Sequence, residues 1–344
     1  GHVNAARALR RVQGTNRWTV SYEDIVQADA LLLIGTQVTA ANPIVGLKVK
    51  EAVKKHGARL LTIETLVPSI ETTSNITNLS AMHVAVPPGR HAAAVRGLVK
   101  AVFDENLVDA GLSARAGDYV SRVRAAATAL PYPEGLNETT LRAIAKTFAG
   151  ARRGVILIGQ DLLQAPGGHD AAVNLLDFLL LIGKLTQPGW GLAPLTEENN
   201  EQGALEMGAT AEYLPGPAEL ADPAARSRMA DAWKDEPPAA KGMRLIEMLD
   251  AARAGKLKAM LIIGENPVRS LPLSVKAAEA LEKLDLLVVQ ELFLTETAKL
   301  ADVVLPACSY AEKTGTFTNS EGFVQKVRPG LEPVGDSRPD WEIL

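Results

Sequence analysis

The chain has 344 residues, 47% of them hydrophobic and 22% charged, with a formal net charge of −4. That balance excludes a disordered chain, and the lack of a long basic run argues against nucleic acid as a partner. The single cysteine, Cys308, excludes an internal disulfide, and the five histidines have no metal-ligand spacing. One thiol also excludes an iron–sulfur cluster held by these residues alone, because a cluster needs about four thiolates. The length calls for two or more domains. The longest apolar run, around residues 178–182, is far short of a bilayer span, so no direct membrane insertion is expected.

In chain order, residues 5–12 read as the tail of a helix stopped by Gly14-Thr15-Asn16, as though the chain began inside a domain. Ser21 to Asp24 is S-x-x-D, a helix start, and residues 30–34 form a branched-apolar strand ending in Gly35-Thr36-Gln37. Pro43 opens a helix to His56 that stops at Gly57. Strands follow at 60–63, ending at Glu64, and at 82–87, and a turn leads to a helix over 91–106. An Ala-rich helical region reaches about residue 129, and Asn137 caps a helix to 149. A strand at 155–158 ends in Gly159-Gln160-Asp161, with a helix from 168 to 182.

Residues 186–240 concentrate Pro and Gly around TEENNEQGALEMG and read as an irregular crossing between domains 1–190 and 191–344. Beyond it come a helix over 243–254, a strand at 259–263 ending in Gly264-Glu265-Asn266-Pro267, a helix over 274–284 and a strand at 286–289. A short helix at 295–300 precedes the strand 303–305. Pro306 then opens a polar, glycine-punctuated loop carrying Glu312, Thr314, Thr316, Thr318, Asn319 and Gln325. At the carboxyl end of a parallel strand such a loop is either a cradle for a many-oxygened ligand or an ordinary turn-rich connection.

Two segments repeat. ALLLIGTQ, helix, RLLTIET matches AMLIIGEN, helix, DLLVVQE, with 29 positions from Gly35 to Glu64 and 27 from Gly264 to Glu291. A glycine at the first strand's end admits close backbone approach, and an acid at the second strand's end can accept hydrogen bonds from a ribose or a guanine edge. The fold class expected is α/β, two Rossmann-like doubly wound domains with parallel sheets. G-x-G-x-x-G and G-x-x-x-x-G-K-[ST] are both missing, which disfavours a nicotinamide dehydrogenase and a P-loop enzyme. Repetition for folding reasons alone stays open.

The segments ADVVLPACSYAEKTGTFTNSEGFVQ (301–325), ENNEQGALEMGATAEYLPG (198–216), IGENP (263–267) and VVQELFLTETAKLADVVLP (288–306) resemble the signature of the molybdopterin oxidoreductase superfamily across nearly the whole chain. The resemblance implies two α/β domains that each bind one nucleotide of a bis-(molybdopterin guanine dinucleotide) cofactor. It also implies an iron–sulfur domain before them and a cap domain after them, so the chain reads as a fragment. Cofactor-facing positions are then Gly35 and Glu64 in the first half, Asn199, Asn200 and Gln202 in the connection, and Gly264, Glu265, Asn266, Gln290, Thr295, Glu312, Thr316 and Asn319 in the second half. No catalytic residue and no metal ligand is assigned among these 344 positions.

Departures from the pattern choose between branches. Phe323 stands where an Arg is common, Ile63-Glu64-Thr65-Leu66 where V-D-P-R is usual, and Pro88-Gly89-Arg90-His91 where P-G-T-D is usual. A buried edge left unpaired costs about 1–3 kcal/mol per group, although Glu64 could replace an Asp and Arg90 could reach a phosphate. These losses favour the large iron–sulfur subunit of NADH:quinone oxidoreductase (complex I). On that expectation the chain is a scaffold for electron transfer from NADH toward quinone and holds no cofactor itself. It would be cytoplasmic, peripheral to the inner membrane through other subunits of a multi-subunit redox complex. The alternative is the catalytic subunit of a formate-dehydrogenase-type molybdoenzyme binding molybdopterin guanine dinucleotide with Mo or W. A third reading is a vestigial α/β module that provides partner surface.

Overall fold

The computed structural model describes residues 2–65 and 76–344. Leu66, one of the positions compared above, lies outside the described residues. The chain divides into two compact units, Gly1–Gln202 with Asn319–Phe323, and Gly203–Thr318 with Val324–Leu344.

The first unit is built on a five-stranded sheet of β1 (Ala30–Ile34), β2 (Arg59–Thr65), β3 (Met82–Val86), β4 (Gly154–Ile158) and β5 (Trp190–Pro194), in the order β3-β2-β1-β4-β5. Every neighbouring pair is parallel. A parallel sheet needs both faces covered, so its strands are apolar without alternation, and all five residues of β1 and of β4 are buried. The two faces can be read residue by residue. Ala30, Leu32 and Ile34 join a core with the helices His91–Asp104, Glu138–Ala149 and Gly168–Leu181. Leu31 and Leu33 join a second core with the helices Tyr22–Val26 and Pro43–His56. This is the doubly wound α/β arrangement expected from the sequence.

Local chemistry sets the helix ends. Ser21 and Asp24 form a reciprocal capping box. Pro43 sits in the first turn of its helix, which closes on Gly57 at φ 73°. Asn137 accepts from the Thr140 amide at 2.9 Å.

The second unit carries a three-stranded parallel sheet, β10-β9-β8, of β8 (Ala259–Ile263), β9 (Leu286–Glu291) and β10 (Val303–Pro306). Leu249 from the helix Leu245–Arg253 and Ala277, Ala280 and Leu281 from the helix Ala277–Leu281 cover Ile262, Leu287 and Val289 on one face.

Several expectations need correction. Residues 186–240 are not an irregular crossing: they hold β5, the helices Glu201–Glu206 and Pro223–Trp233, and the small hairpin β6 (Tyr213–Leu214) with β7 (Ala218–Glu219). WGLAP reads as a loop by composition, and pairing with β4 makes it a strand. The polar loop after Pro306 contains an antiparallel hairpin, β11 (Gly315–Thr318) with β12 (Val324–Val327). The helix expected over 274–284 is a 3-10 turn, Leu273–Val275, followed by Ala277–Leu281, because Lys276 takes a left-handed φ of 52° between them. A further short helix, Val38–Ala41, follows β1.

Phe148 anchors the first core. Its ring lies 5.8 Å from that of Phe178 and 5.2 Å, edge to face, from that of Trp190, and its side chain is fully buried. Replacing Phe148 by Ala is expected to cost about 3–5 kcal/mol of folding stability. The measurement is the urea-unfolding midpoint at an unchanged slope, and a loss under 1 kcal/mol would show that this aromatic cluster does not carry the core.

Candidate functional site

The strand order reverses between β1 and β4: the chain moves outward through β2 and β3 on one side, and β5 lies on the other. Carboxyl ends of strands at such a reversal splay apart and open a crevice. A cavity of about 400 Å³ lies there, lined by Gly35, Thr36 and Gln37 after β1, by Gly159, Gln160 and Asp161 after β4, and by Asn42 and Glu197.

Two glycines shape it. Gly35 takes φ 61°, and a Cβ added to it would lie 2.8 Å from the Leu162 amide nitrogen. A Cβ on Gly159 would lie 2.3 Å from the Gly35 carbonyl oxygen. Neither position admits a side chain without backbone movement. The Gly35 amide donates to the Ile63 carbonyl (2.9 Å), and the Asp161 amide donates to the Gly35 carbonyl (3.2 Å).

The side chains at the strand ends form two networks. In one, the Thr65 hydroxyl donates to Asp161 Oδ2 at 2.7 Å, and His91 Nε2 lies 3.3 Å from the same Thr65 oxygen. With the hydroxyl proton spent on Asp161, Thr65 can only accept from His91, which fixes the Nε2–H tautomer. His91 is completely buried, and its Nδ1 has no partner among the described residues. Burial pushes its pKa below 6.5, opposed by the Asp161 carboxylate. In the other network, Thr77 donates to Glu64 Oε2 at 2.5 Å, with His83 Nδ1 at 4.0 Å. Burial raises the Glu64 pKa, against the Thr77 hydrogen bond, and Glu64 Oε1 has no partner among the described residues. Gln160 Oε1 is likewise buried and unpartnered.

The second unit repeats the first at its strand ends. Gly264 also takes φ 61°, and its amide donates to the Gln290 carbonyl at 2.9 Å, as Gly35 does to Ile63. Asn42-Pro43 and Asn266-Pro267 open the following helices with nearly the same N-cap backbone angles. Side chains differ more. Asn266 Oδ1 accepts from the Thr297 hydroxyl (2.7 Å), while its Nδ2 donates to Glu296 (2.8 Å). Glu265 accepts from Ser270, and Thr295 from the Ala298 amide. Glu312 accepts from the Ser309 and Val334 amides. Gln290 is buried, donates to Asp340 at 2.7 Å and leaves Oε1 unpartnered. Thr316 lies exposed on β11 opposite Lys326.

Asn319, in the first unit, accepts from the Phe323 amide and shapes its turn. Of the other positions singled out in the sequence, Asn199 is exposed, Asn200 takes φ 56° and Gln202 is buried. Sequence reasoning missed Thr65, His91, Gln160 and Asp161 as a group. Only the repeated Gly-Gln pattern at the strand ends could have pointed to them.

A model of the molybdopterin oxidoreductase family matches residues 3–344. The chain belongs to that family. As a molybdopterin oxidoreductase it is 33% identical over 350 aligned positions to the F420-dependent formate dehydrogenase subunit alpha of Methanocaldococcus jannaschii, covering 100% of this chain and 50% of that protein. Formate dehydrogenase H of Escherichia coli is 30% identical over 350 positions, 100% of this chain and 48% of that protein. Among solved structures, acetylene hydratase from Pelobacter acetylenicus matches with a TM-score of 0.70 over 98% of this chain and 49% of that one; at 18% identity this shows the fold alone. The chain thus spans about half the length of these relatives.

These relatives overturn the expectation of a complex I subunit. That expectation rested on departures from the family pattern, those at Glu64 and His91 among them; both side chains sit in hydrogen-bonded networks. With it falls the reading of a chain without a cofactor role. Among the described residues no helix is long and apolar enough to cross a membrane.

His91 makes a pH dependence measurable. Its folded pKa lies below its unfolded value, so the unfolded chain binds more protons as pH falls through about 6.5, and stability is lost on that side. The unfolding midpoint is expected to fall between about pH 7 and 5, and His91→Gln to flatten that slope. An unchanged slope in the variant would show that His91 does not titrate in this window.

Proposed function

We propose that the chain is the cofactor-holding body of the catalytic subunit of a formate-dehydrogenase-type molybdoenzyme. The observation that carries this is the match, over the whole chain, to relatives named as formate dehydrogenases. The geometry supports it in kind. A glycine-lined crevice lies at a topological switch point, where α/β folds take nucleotide-like ligands.

The residues fit the organic part of a molybdopterin guanine dinucleotide. Gly35 and Gly159 let backbone approach a flat ligand, and Gln160 and Asp161 present acceptors to N–H groups. In the second unit Gly264 offers the same backbone turn, and Gln290 Oε1 an unpaired buried acceptor. In this reading Glu64, Asn199, Asn200, Gln202, Glu265, Asn266, Thr295, Glu312, Thr316 and Asn319, the positions the resemblance singles out, serve as further contacts or supports. Among the described residues no cluster of three or more His, Cys, Asp or Glu side chains could hold a metal ion. The chain's part is therefore to bind and orient the pterin and nucleotide ends. The bound molybdenum or tungsten would supply the redox chemistry.

In this reading formate is oxidised and its electrons pass to other subunits, in keeping with the "subunit alpha" in a relative's name. The test is elemental and nucleotide analysis of the purified holoprotein. Molybdenum or tungsten in stoichiometric amount, with guanine nucleotide released on acid treatment, is the expected result. A folded protein with neither would overturn the proposal.

A further inference from the structure

A second cavity of the first unit, of about 150 Å³, shares no lining residue with the crevice. Its walls come from the helices His91–Asp104, Gly117–Thr128 and Gly168–Leu181 and from the connection through Pro131 and Pro133. Val99, Val123 and the two prolines make those walls apolar, and Ala126 and Ala127 are too short to fill the space between them. An apolar cavity of about 150 Å³ takes a benzene-sized body.

The charged residues of the lining, Arg96 and Lys100, are both cations, and they are not equivalent. Lys100 is already committed. Its Nζ lies 3.5 Å from Asp104 Oδ2 and 5.3 Å from the centre of the Tyr132 ring. Arg96 is exposed and has no hydrogen bond or ion pair from its side chain among the described residues. Asn174, half-buried on the third helix, has no side-chain hydrogen bond among them either, and its amide can donate. The helix Gly117–Thr128 ends at this wall, but the roughly half charge of a helix carboxyl end is smaller than the full charge of Arg96.

We propose that this cavity binds a small monocarboxylate with an apolar body of about six carbons, aryl or alkyl. The body fills the space over Ala126 and Ala127, and the carboxylate meets the free guanidinium of Arg96 at the rim, with Asn174 as a further donor. The inference is independent of the cofactor reading and concerns a different part of the first unit.

The test is a ligand-observed NMR titration of the purified full-length protein with benzoate, hexanoate, benzamide and acetate. Benzoate and hexanoate are expected to bind with a Kd of about 1 mM. Benzamide keeps the body without the charge, and acetate keeps the charge without the body; each should bind about tenfold more weakly or worse. Arg96→Gln, at an exposed position, should weaken benzoate about tenfold and remove its advantage over benzamide, while Arg96→Lys keeps part of it. Ala127→Leu should fill the cavity and abolish binding of both longer acids. Ala126→Leu, at an exposed position, serves the same purpose if the half-buried Ala127 variant does not fold.

The urea-unfolding midpoint of each variant separates loss of the site from loss of the fold. Benzoate that binds equally well to the Arg96→Gln and cavity-filling variants is bound elsewhere and overturns the proposal. Benzamide binding as tightly as benzoate overturns it too, as does the lack of saturable binding by either longer acid.

Discussion

Where β1 and β4 end, two backbones meet with no room for a side chain between them. The hypothetical Cβ of Gly159 falls 2.3 Å from the Gly35 oxygen, and Gly35 itself needs a positive φ of 61°. That close approach brings the Asp161 amide onto the Gly35 carbonyl. It thereby sets Asp161, after β4, within reach of Thr65 at the end of β2, across β1. The crevice and the line back to His91 both hang on this one backbone contact. The buried parallel strands behind it supply the rigidity, because both faces of β1 are packed by helices.

The second unit reuses the backbone and changes the chemistry. Gly264 copies the dihedral and the amide bond of Gly35, and Asn266-Pro267 copies Asn42-Pro43. Yet Asn266 spends its polar atoms on Thr297 and Glu296, and Glu312 on the Ser309 and Val334 amides. There the exception is Gln290, buried with one acceptor unpaired.

Much of the frame was legible in the sequence. ALLLI and AMLII read as strands and both are, the first buried throughout and the second buried only at Ile262, and Pro43, Gly57 and Asn137 marked helix ends by mechanisms that act within a few residues. The spacing of Gly35 and Glu64 against Gly264 and Glu291 revealed the repeat. What was hidden is what depends on distant partners. β5 looks like a loop, with Gly191 and Pro194 in five residues, until it pairs with β4. Thr65 and His91 are 26 positions apart, and Thr65 and Asp161 are 96 apart, so no local pattern announces their contact. Comparison with the family pattern shows His91 only as a departure from an acid and gives no hint of the Thr65 hydroxyl it meets.

The central claim is that this crevice holds the heterocyclic end of a molybdopterin-type cofactor. The most direct measurement is an experimental structure of the purified holoprotein at a resolution that shows ligand hydrogen bonds. The account predicts a flat, amino-bearing ring at the ends of β1 and β4, with its N–H edge within hydrogen-bond distance of Asp161. A cofactor bound elsewhere, with only solvent in this crevice, would contradict it.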